Sequence, residues 1–420
     1  MPTGTQRFAV LCCKFSDSPA EPRPSTFLRD LIAVRGTGGL NDYWIAASLG
    51  NINLDGTDVY DWTPLGVTLA EFVASRPSRH DKIAGAVEAF PNVDFSQYQG
   101  VIAVFNLHPL DDGHSGLGVL AGPDNLNVTY LGHETGHHFG MQHSYDESSR
   151  RNKSWSQLGE YYDRLDIMSA MNVAFTMHPL FNQQGPLACT PNLDALAWLP
   201  PERVFRIRSG SSSSDTIDLV SLSRAGSTTG FLAAVAGNIY VEFRTAEGWD
   251  AGLDRAGVVI HRRHGPNATI LAKEVPPAKK EPPTSIGGQS KSYPQDWQVG
   301  EVYESDPLSV IYQGGTTVAV EAINADAGIA RVRISVRAAP PRVAGPAIFV
   351  GAGATGDGGG FVVLPSGKVV HIGPRGLRVV EAVLAAEHAE AISASPELRG
   401  ALTAAVTREL TDIITTLQAR

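Results

Sequence analysis

The chain has 420 residues, of which 43% are hydrophobic and 18% charged, with a formal net charge of −9. That length can bury a large core and is expected to divide into two or three domains, and the composition is that of an ordinary globular protein. The acidic balance, with no Lys/Arg cluster, argues against nucleic-acid binding, and no apolar run reaches the length of a transmembrane helix.

Arg7 to Phe15 reads as a buried strand followed by a Pro-rich turn. On it Cys12 and Cys13 face opposite sides, and Cys189 lies far along the chain. All three cysteines are therefore expected as free thiols packed like small apolar residues. The apolar run Phe8 to Cys13 is short and interrupted by Lys14, so the N-terminus lacks the shape of a signal peptide. Phe27 to Val34 has helical spacing, Gly36 to Gly39 break it, and Gly39 to Trp44 opens a second helix ending near Gly50. Asn51 to Trp62 alternates as strands around an Asp55-Gly56 turn, a hairpin pattern. Tyr43, Trp44 and Trp62 read as scaffold. Ser78 to Phe90 suits a helix and Gly100 to Phe105 a buried strand. Helices thus alternate with strands, which predicts an α/β domain with a mostly parallel sheet. Asn106 to Asn125, rich in Gly, Asp and His, is the natural place for an edge strand or cleft wall along which an extended peptide could add. Within it Asp111, Asp112 and His114 are candidates for a calcium or second metal, with a solvated loop as the plainer reading.

Leu131 to Ser144 reads L-G-H-E-T-G-H-H-F-G-M-Q-H-S, and in it His133, Glu134, His137, Gly140 and His143 spell H-E-x-x-H-x-x-G-x-x-H. Residues four apart share a helix face, so His133 and His137 can offer two imidazole nitrogens to one zinc ion. Glu134 is offset by one position, where it can reach an attacking water without entering the ligand set. Gly140 can take the left-handed conformation that ends a helix, letting His143 return as third ligand. Three protein ligands leave a fourth position open, as in catalytic zinc sites. A histidine-rich amphipathic helix is the plain alternative; His138, on another face, is read as packed or solvated.

Further on, Asn172 to Pro179 is apolar and could line a pocket wall, Asn192 to Trp198 looks helical, and Pro200-Pro201 marks a boundary. Short strands follow at Val204 to Ile207, Thr216 to Leu222, Phe231 to Ala236, Ile239 to Arg244, Val258 to Arg262, Leu308 to Tyr312, Thr316 to Ala322 and Ala330 to Val336. They are separated by Gly and Ser turns, as in a β-sandwich. The insert Glu274 to Pro294 reads as a mobile loop. After Pro340-Pro341 come a P-S-G-K hairpin and two helices, about Arg378 to Ile392 and Pro396 to Leu417. An apolar stripe on the second of these must pack on the chain or on a docking partner.

The long histidine motif, followed by Tyr162-Asp163-Arg164-Leu165-Asp166-Ile167-Met168-Ser169, resembles the metzincin zinc metallopeptidases. The wording of that segment is similar to the gametolysin-like and immune-inhibitor-A-like secreted protease families. So are the first strand, the Tyr43-Trp44 helix, Tyr240 to Arg244, Gly248 to Gly252 and Val258 to His261, so that the likeness spans roughly residues 6 to 263. The resemblance implies a methionine turn beneath the metal, with Met168 as the methionine and Met171 as its competitor. Two residues after Met168, where some members carry a tyrosine within reach of zinc, stands Ala170, so no tyrosine ligand from that turn is expected.

The reading is then a metzincin-like α/β zinc peptidase domain at 1–200, with a twisted mixed sheet and an active-site helix. A β-sandwich domain at 201–337 follows, and then a linker, hairpin and helical tail at 338–420. Its expected activity is zinc-dependent endoproteolysis of an extended polypeptide, with His133, His137 and His143 on the metal and Glu134 as general base. The alternatives are a zinc hydrolase of a non-protein amide or an inactive binding module. The resemblance implies an extracellular setting.

Overall fold

The computed structural model describes residues 1–169, 172–207, 212–273, 294–305 and 315–337, together with strands at 348–350, 360–363, 368–373 and 376–381. The expectations for Ala170, Met171, Leu308 to Tyr312, the insert 274–293 and the tail beyond residue 381 lie outside these residues.

Strand β1 (Phe8–Lys14) is buried on both faces, as its unbroken apolar run requires. Phe8, Val10 and Cys12 enter one core and Ala9, Leu11 and Cys13 the other, so the two adjacent cysteines do point apart. All three thiols are free and buried. Helices α1 (Ser25–Ile32) and α2 (Leu40–Ala47) cover the first core, with Tyr43 and Trp44 fully buried as scaffold. Next come β2 (Asp58–Pro64), α3 (Leu69–Ser75) and α4 (Arg79–Glu88); Phe72 of α3 and Ile83 and Ala86 of α4 close the second core. Both helices start on a capping box, Thr68 with Glu71 and Ser78 with Asp81. The first of these, T-L-A-E, is a start signal that the sequence reading passed over.

Strands β3 (Gly100–Phe105), β4 (Gly113–Ser115) and β5 (Gly118–Ala121) complete a five-stranded sheet of order β2-β1-β3-β5-β4. It is parallel from β2 through β5, and β4 is antiparallel at one edge. The mostly parallel α/β reading holds, and the edge strand falls inside the Asn106 to Asn125 segment. One local expectation does not hold. Ile52–Asn53 pairs in parallel with Gly4–Thr5, and β2 pairs in parallel with β1, so the Asp55-Gly56 turn joins strands of two sheets and makes no hairpin. Both strands find parallel partners in the N-terminal segment, which outweighs the local turn signal.

Helix α5 (Val128–His138) carries the histidine motif and is itself largely buried. It packs on α2, where the Trp44 indole N–H donates to Thr135 Oγ1 at 2.8 Å. Directly after His143 the chain enters β6 (Ser144–Asp146), which joins a six-stranded sheet built otherwise from the C-terminal side. The other members are β7 (Val204–Ile207), β8 (Ala233–Ala236), β9 (Ile239–Arg244), β10 (Gly257–His264) and β11 (Asn267–Ile270), in the order β7-β8-β9-β10-β11-β6. β6 runs parallel to β11, with Ser144 opposite Ala268. Helix α6 (Thr190–Ala195) sits where a helix was expected.

Buried ion pairs fasten this sheet to the loops that precede it. Arg244 is fully buried, with Nε on Glu242 at 2.8 Å, Nη1 on Asp250 at 2.9 Å and Nη2 on the Ala188 carbonyl at 3.2 Å. His261 Nε2 meets Asp163 at 3.0 Å, also at zero exposure. Charges this deep persist only when each is paired, and removing one partner would leave the other buried and uncompensated.

The chain groups into two compact units, one of Met1–Arg206, Ile217–Glu301 and Val320–Val332, the other of Ile207–Thr216, Val302–Ala319 and Arg333–Arg420. In the second unit, strands 348–350, 360–363, 368–373 and 376–381 form an antiparallel sheet in chain order. Val363 opposite Val369 makes the hairpin expected at P-S-G-K. The helix expected from Arg378 is corrected at its start: Gly376–Glu381 is a strand, because β-branched Val379 and Val380 pair with the preceding strand. Among the described residues no helix is long and apolar enough to cross a membrane.

Candidate metal centre

Asn127 caps α5, its side chain accepting from the Tyr130 N–H at 2.8 Å. One turn later the helix brings His133 and His137 onto one face, with ring centroids 4.6 Å apart. After His138 the helix stops. Gly140 has φ +102°, its N–H bonds the His137 carbonyl, and the Met141 N–H bonds that of Gly136. The chain reverses and returns His143 to within 4.6 Å of the His137 ring and 5.4 Å of the His133 ring. One ring nitrogen from each histidine then falls within 4.8 Å of the others; among the described residues no other group of three His, Cys, Asp or Glu does so.

The outer nitrogens are all committed. His133 Nδ1 meets the Ile167 carbonyl at 3.1 Å, His137 Nδ1 the Met141 carbonyl at 2.9 Å, and His143 Nδ1 Glu160 Oε1 at 2.5 Å. Each partner is an acceptor, so each Nδ1 carries the proton and each Nε2 presents a bare lone pair. His133 Nε2 and His137 Nε2 nonetheless lie 3.0 Å apart. Two acceptors facing each other without a proton between them need a cation. With zinc–nitrogen bonds of about 2.0–2.1 Å, ligand nitrogens stand roughly 3.3 Å apart, so the donor set fits that ion. The imidazoles are also held neutral, as ligands must be. Burial pushes His137 down to about 4, helped by the His143 ring, and pushes His133 well below the usual histidine range.

Glu134 sits beside this cluster, buried but for 8% of its surface. Burial pushes its carboxyl up to about 7, while nearby Arg79 and a hydrogen bond from the His114 backbone N–H on edge strand β4 act against that rise. A carboxyl titrating near neutrality suits both taking and giving a proton.

Met168 is fully buried, and its Sδ lies 2.7 Å from where a Cβ on Gly136 would stand, between the two helical histidines. Only glycine lets the thioether come this close. Asp166 accepts from the Met168 and Cys189 N–H groups and from Asn192 Nδ2 at 2.9 Å, and also from the Ser144 hydroxyl, so the chain beside His143 and the loop under α5 share one buried anchor. Met168→Leu, near in volume, should cost less than about 1.5 kcal/mol, whereas Met168→Asp buries an unpaired carboxylate against the helix and should unfold the site. Thermal melts and zinc content check both; full activity in Met168→Asp together with its loss in Met171→Asp would transfer the role to Met171.

Other sequence candidates separate. His138 is packed, with Nε2 on the Gln99 carbonyl and its ring against Phe8. Asp111 pairs with Arg79, Asp112 accepts from Gly122 N–H and Asn125, and the His114 ring lies against His137 and His138. Among the described residues these three do not converge into a metal-binding group. Asn172 to Pro179 leads into a small hairpin, Thr176–His178 with Asn182–Gln184. The sequence reading missed Glu160 and Tyr161. Glu160 holds His143, and the Tyr161 hydroxyl lies 3.0 Å from His143 Nε2. The available signal was the polar-aromatic run G-E-Y-Y, which begins just before the segment singled out at Tyr162.

No protein-family model matches the chain, and the curated proteins and solved structures give no match either. The site therefore rests on its own geometry: three convergent neutral imidazoles with a buried carboxylate beside them, a metzincin-type zinc-binding arrangement of the kind that serves a catalytic metallopeptidase.

Proposed function

We propose that the chain is a zinc-dependent endopeptidase, and that it stands with the gametolysin-like and immune-inhibitor-A-like proteases, acting outside the cell. The observation that carries the reading is the convergence of three Nε2 lone pairs whose Nδ1 protons are all engaged elsewhere. His133, His137 and His143 would hold the ion, with Met168 supporting them from below. Zinc bound there supplies a Lewis acid that polarises the scissile carbonyl and acidifies water. Glu134 takes the proton of the attacking water and later passes it to the nitrogen of the leaving amine. Edge strand β4 offers an unpaired side along which an extended peptide can lie, and exposed Trp155 offers an apolar surface near the site. In this reading residues 1–200 form the peptidase domain, 201–337 a β-sandwich domain, and 338–420 a linker, hairpin and helical tail. The run of short strands after Pro201 supports the second of these.

Full-length protein loaded with zinc should cleave denatured casein, stop when a chelator removes the metal, and recover when zinc returns. Cleavage of small amides but never of casein would mark a hydrolase of another substrate class, and zinc binding with no cleavage of either would mark an inactive module.

A further inference from the structure

Glu160 and Tyr161, consecutive residues, grip one imidazole from both of its nitrogens. Glu160 accepts from the His143 Nδ1–H, and Tyr161 Oη lies 3.0 Å from His143 Nε2. Side chains of consecutive residues in an extended segment point to opposite sides. They reach the same ring here because Tyr161 adopts φ +66°, a left-handed conformation that is costly for an aromatic residue. The surroundings hold it there. The Tyr161 N–H donates to the Ser144 carbonyl at 3.0 Å, its carbonyl accepts from Asn172 Nδ2 at 2.7 Å, and Trp155 stands edge-on at 6.2 Å. Strain retained at such a place points to a role for the side chain.

The hydrogen-bond inventory indicates which role. With Nδ1 protonated, His143 Nε2 can only accept, so the Tyr161 hydroxyl is the donor in their contact. Once that lone pair is given to a metal it can accept nothing further. The phenol, in a residue only 4% exposed, then needs a new acceptor, since a buried donor left without one is costly. We propose, resting on the peptidase reading above, that Tyr161 is a catalytic residue whose hydroxyl donates to the carbonyl oxygen of the scissile bond. As water adds to the carbonyl carbon, its proton goes to Glu134 and the π pair of the C=O bond moves onto that oxygen. Tyr161 keeps its own proton and stabilises the developing charge through the hydrogen bond, as an oxyanion-hole donor does.

Tyr161→Phe keeps the ring and its packing and removes only Oη. Its kcat on casein should fall about 100-fold, with KM within about twofold of the full-length parent. Its zinc content should be unchanged. A phosphinic peptide built on the mapped casein cleavage site, which mimics the charged tetrahedral species, should bind about 100-fold more weakly, while the corresponding product peptide binds as before. Unchanged kcat and unchanged phosphinic-peptide affinity would overturn the proposal. So would loss of zinc from the variant, which would make the tyrosine a ligand or a prop for His143. Should the variant fail to fold, 3-fluorotyrosine at position 161, a more acidic phenol of nearly the same size, replaces it: phosphinic-peptide affinity should change while product-peptide affinity does not, and an unchanged phosphinic-peptide affinity overturns the idea. Zinc content and casein cleavage of the parent are measured first. Their absence would remove the peptidase reading itself, a failure distinct from that of Tyr161.

Discussion

Replacing Glu134 by Gln is expected to lower kcat/KM on casein by at least about 1000-fold while leaving the zinc content at the parental level. The magnitude follows from the loss of a positioned general base, worth about 10²–10⁴ in rate, in a site where the same group also serves as the acid. Zinc should stay because Glu134 is not among the three side chains whose nitrogens converge. The fold should stay as well. Glutamine has the same shape, and its carbonyl can still accept the His114 backbone N–H that Glu134 accepts. Glu134 is an expensive residue to bury: burial pushes its carboxyl up to about 7, so removing the charge relieves the fold of a cost. The variant should therefore melt no lower than the parent. Parental turnover in zinc-replete Glu134→Gln would remove the assigned base and send the search to another acceptor beside the cluster.

His137→Ala should abolish both zinc retention and turnover. A site of three imidazoles reduced to two loses one of its three protein ligands, and the deleted ring also takes with it the contact to the Met141 carbonyl that helps end the helix. A graded comparison sharpens the test. Glu160→Gln leaves all three ligands in place and disturbs only the group that holds His143 Nδ1, and substitutions one step removed from a metal typically weaken affinity about 10- to 100-fold. The expected order of zinc affinity is therefore parent, then Glu160→Gln, then His137→Ala, read by competition with a chromophoric chelator. Equal zinc in His137→Ala and the parent would rule out His137 as a ligand, however well the spacing fits.

Most of the centre was legible because its geometry is local. Helical spacing alone puts His133 and His137 on one face, the glycine at 140 supplies the left-handed residue that stops the helix, and three residues suffice to return His143. The same holds for β1, whose unbroken apolar run announces a strand covered on both faces, and for the helix starting at Ser78. Where a local signal competed with a distant partner it misled. The Asp55-Gly56 turn promised a hairpin, yet both flanking strands found better neighbours near the N-terminus. Valines 379 and 380, placed in a helix by their spacing, belong to a strand because one was already there to pair with.

The sequence by itself thus determined the identity of the three imidazoles and the carboxylate, since an i, i+4 helix pair followed by a glycine stop needs no information from elsewhere in the chain. Only the tertiary structure decided how those groups are held. His143 leads straight into a strand whose parallel partner lies more than a hundred residues later, and its outer nitrogen is claimed by Glu160 at the far end of a loop. Met168 meets Gly136 because Asp166 ties its loop to Ser144 and α6 through one buried carboxylate. Tyr161 reaches the site only through a positive φ that no residue-type preference would assign to it. Contacts of this kind depend on loop closure and on burial shared between distant segments, and neither is encoded in the spacing of nearby residues.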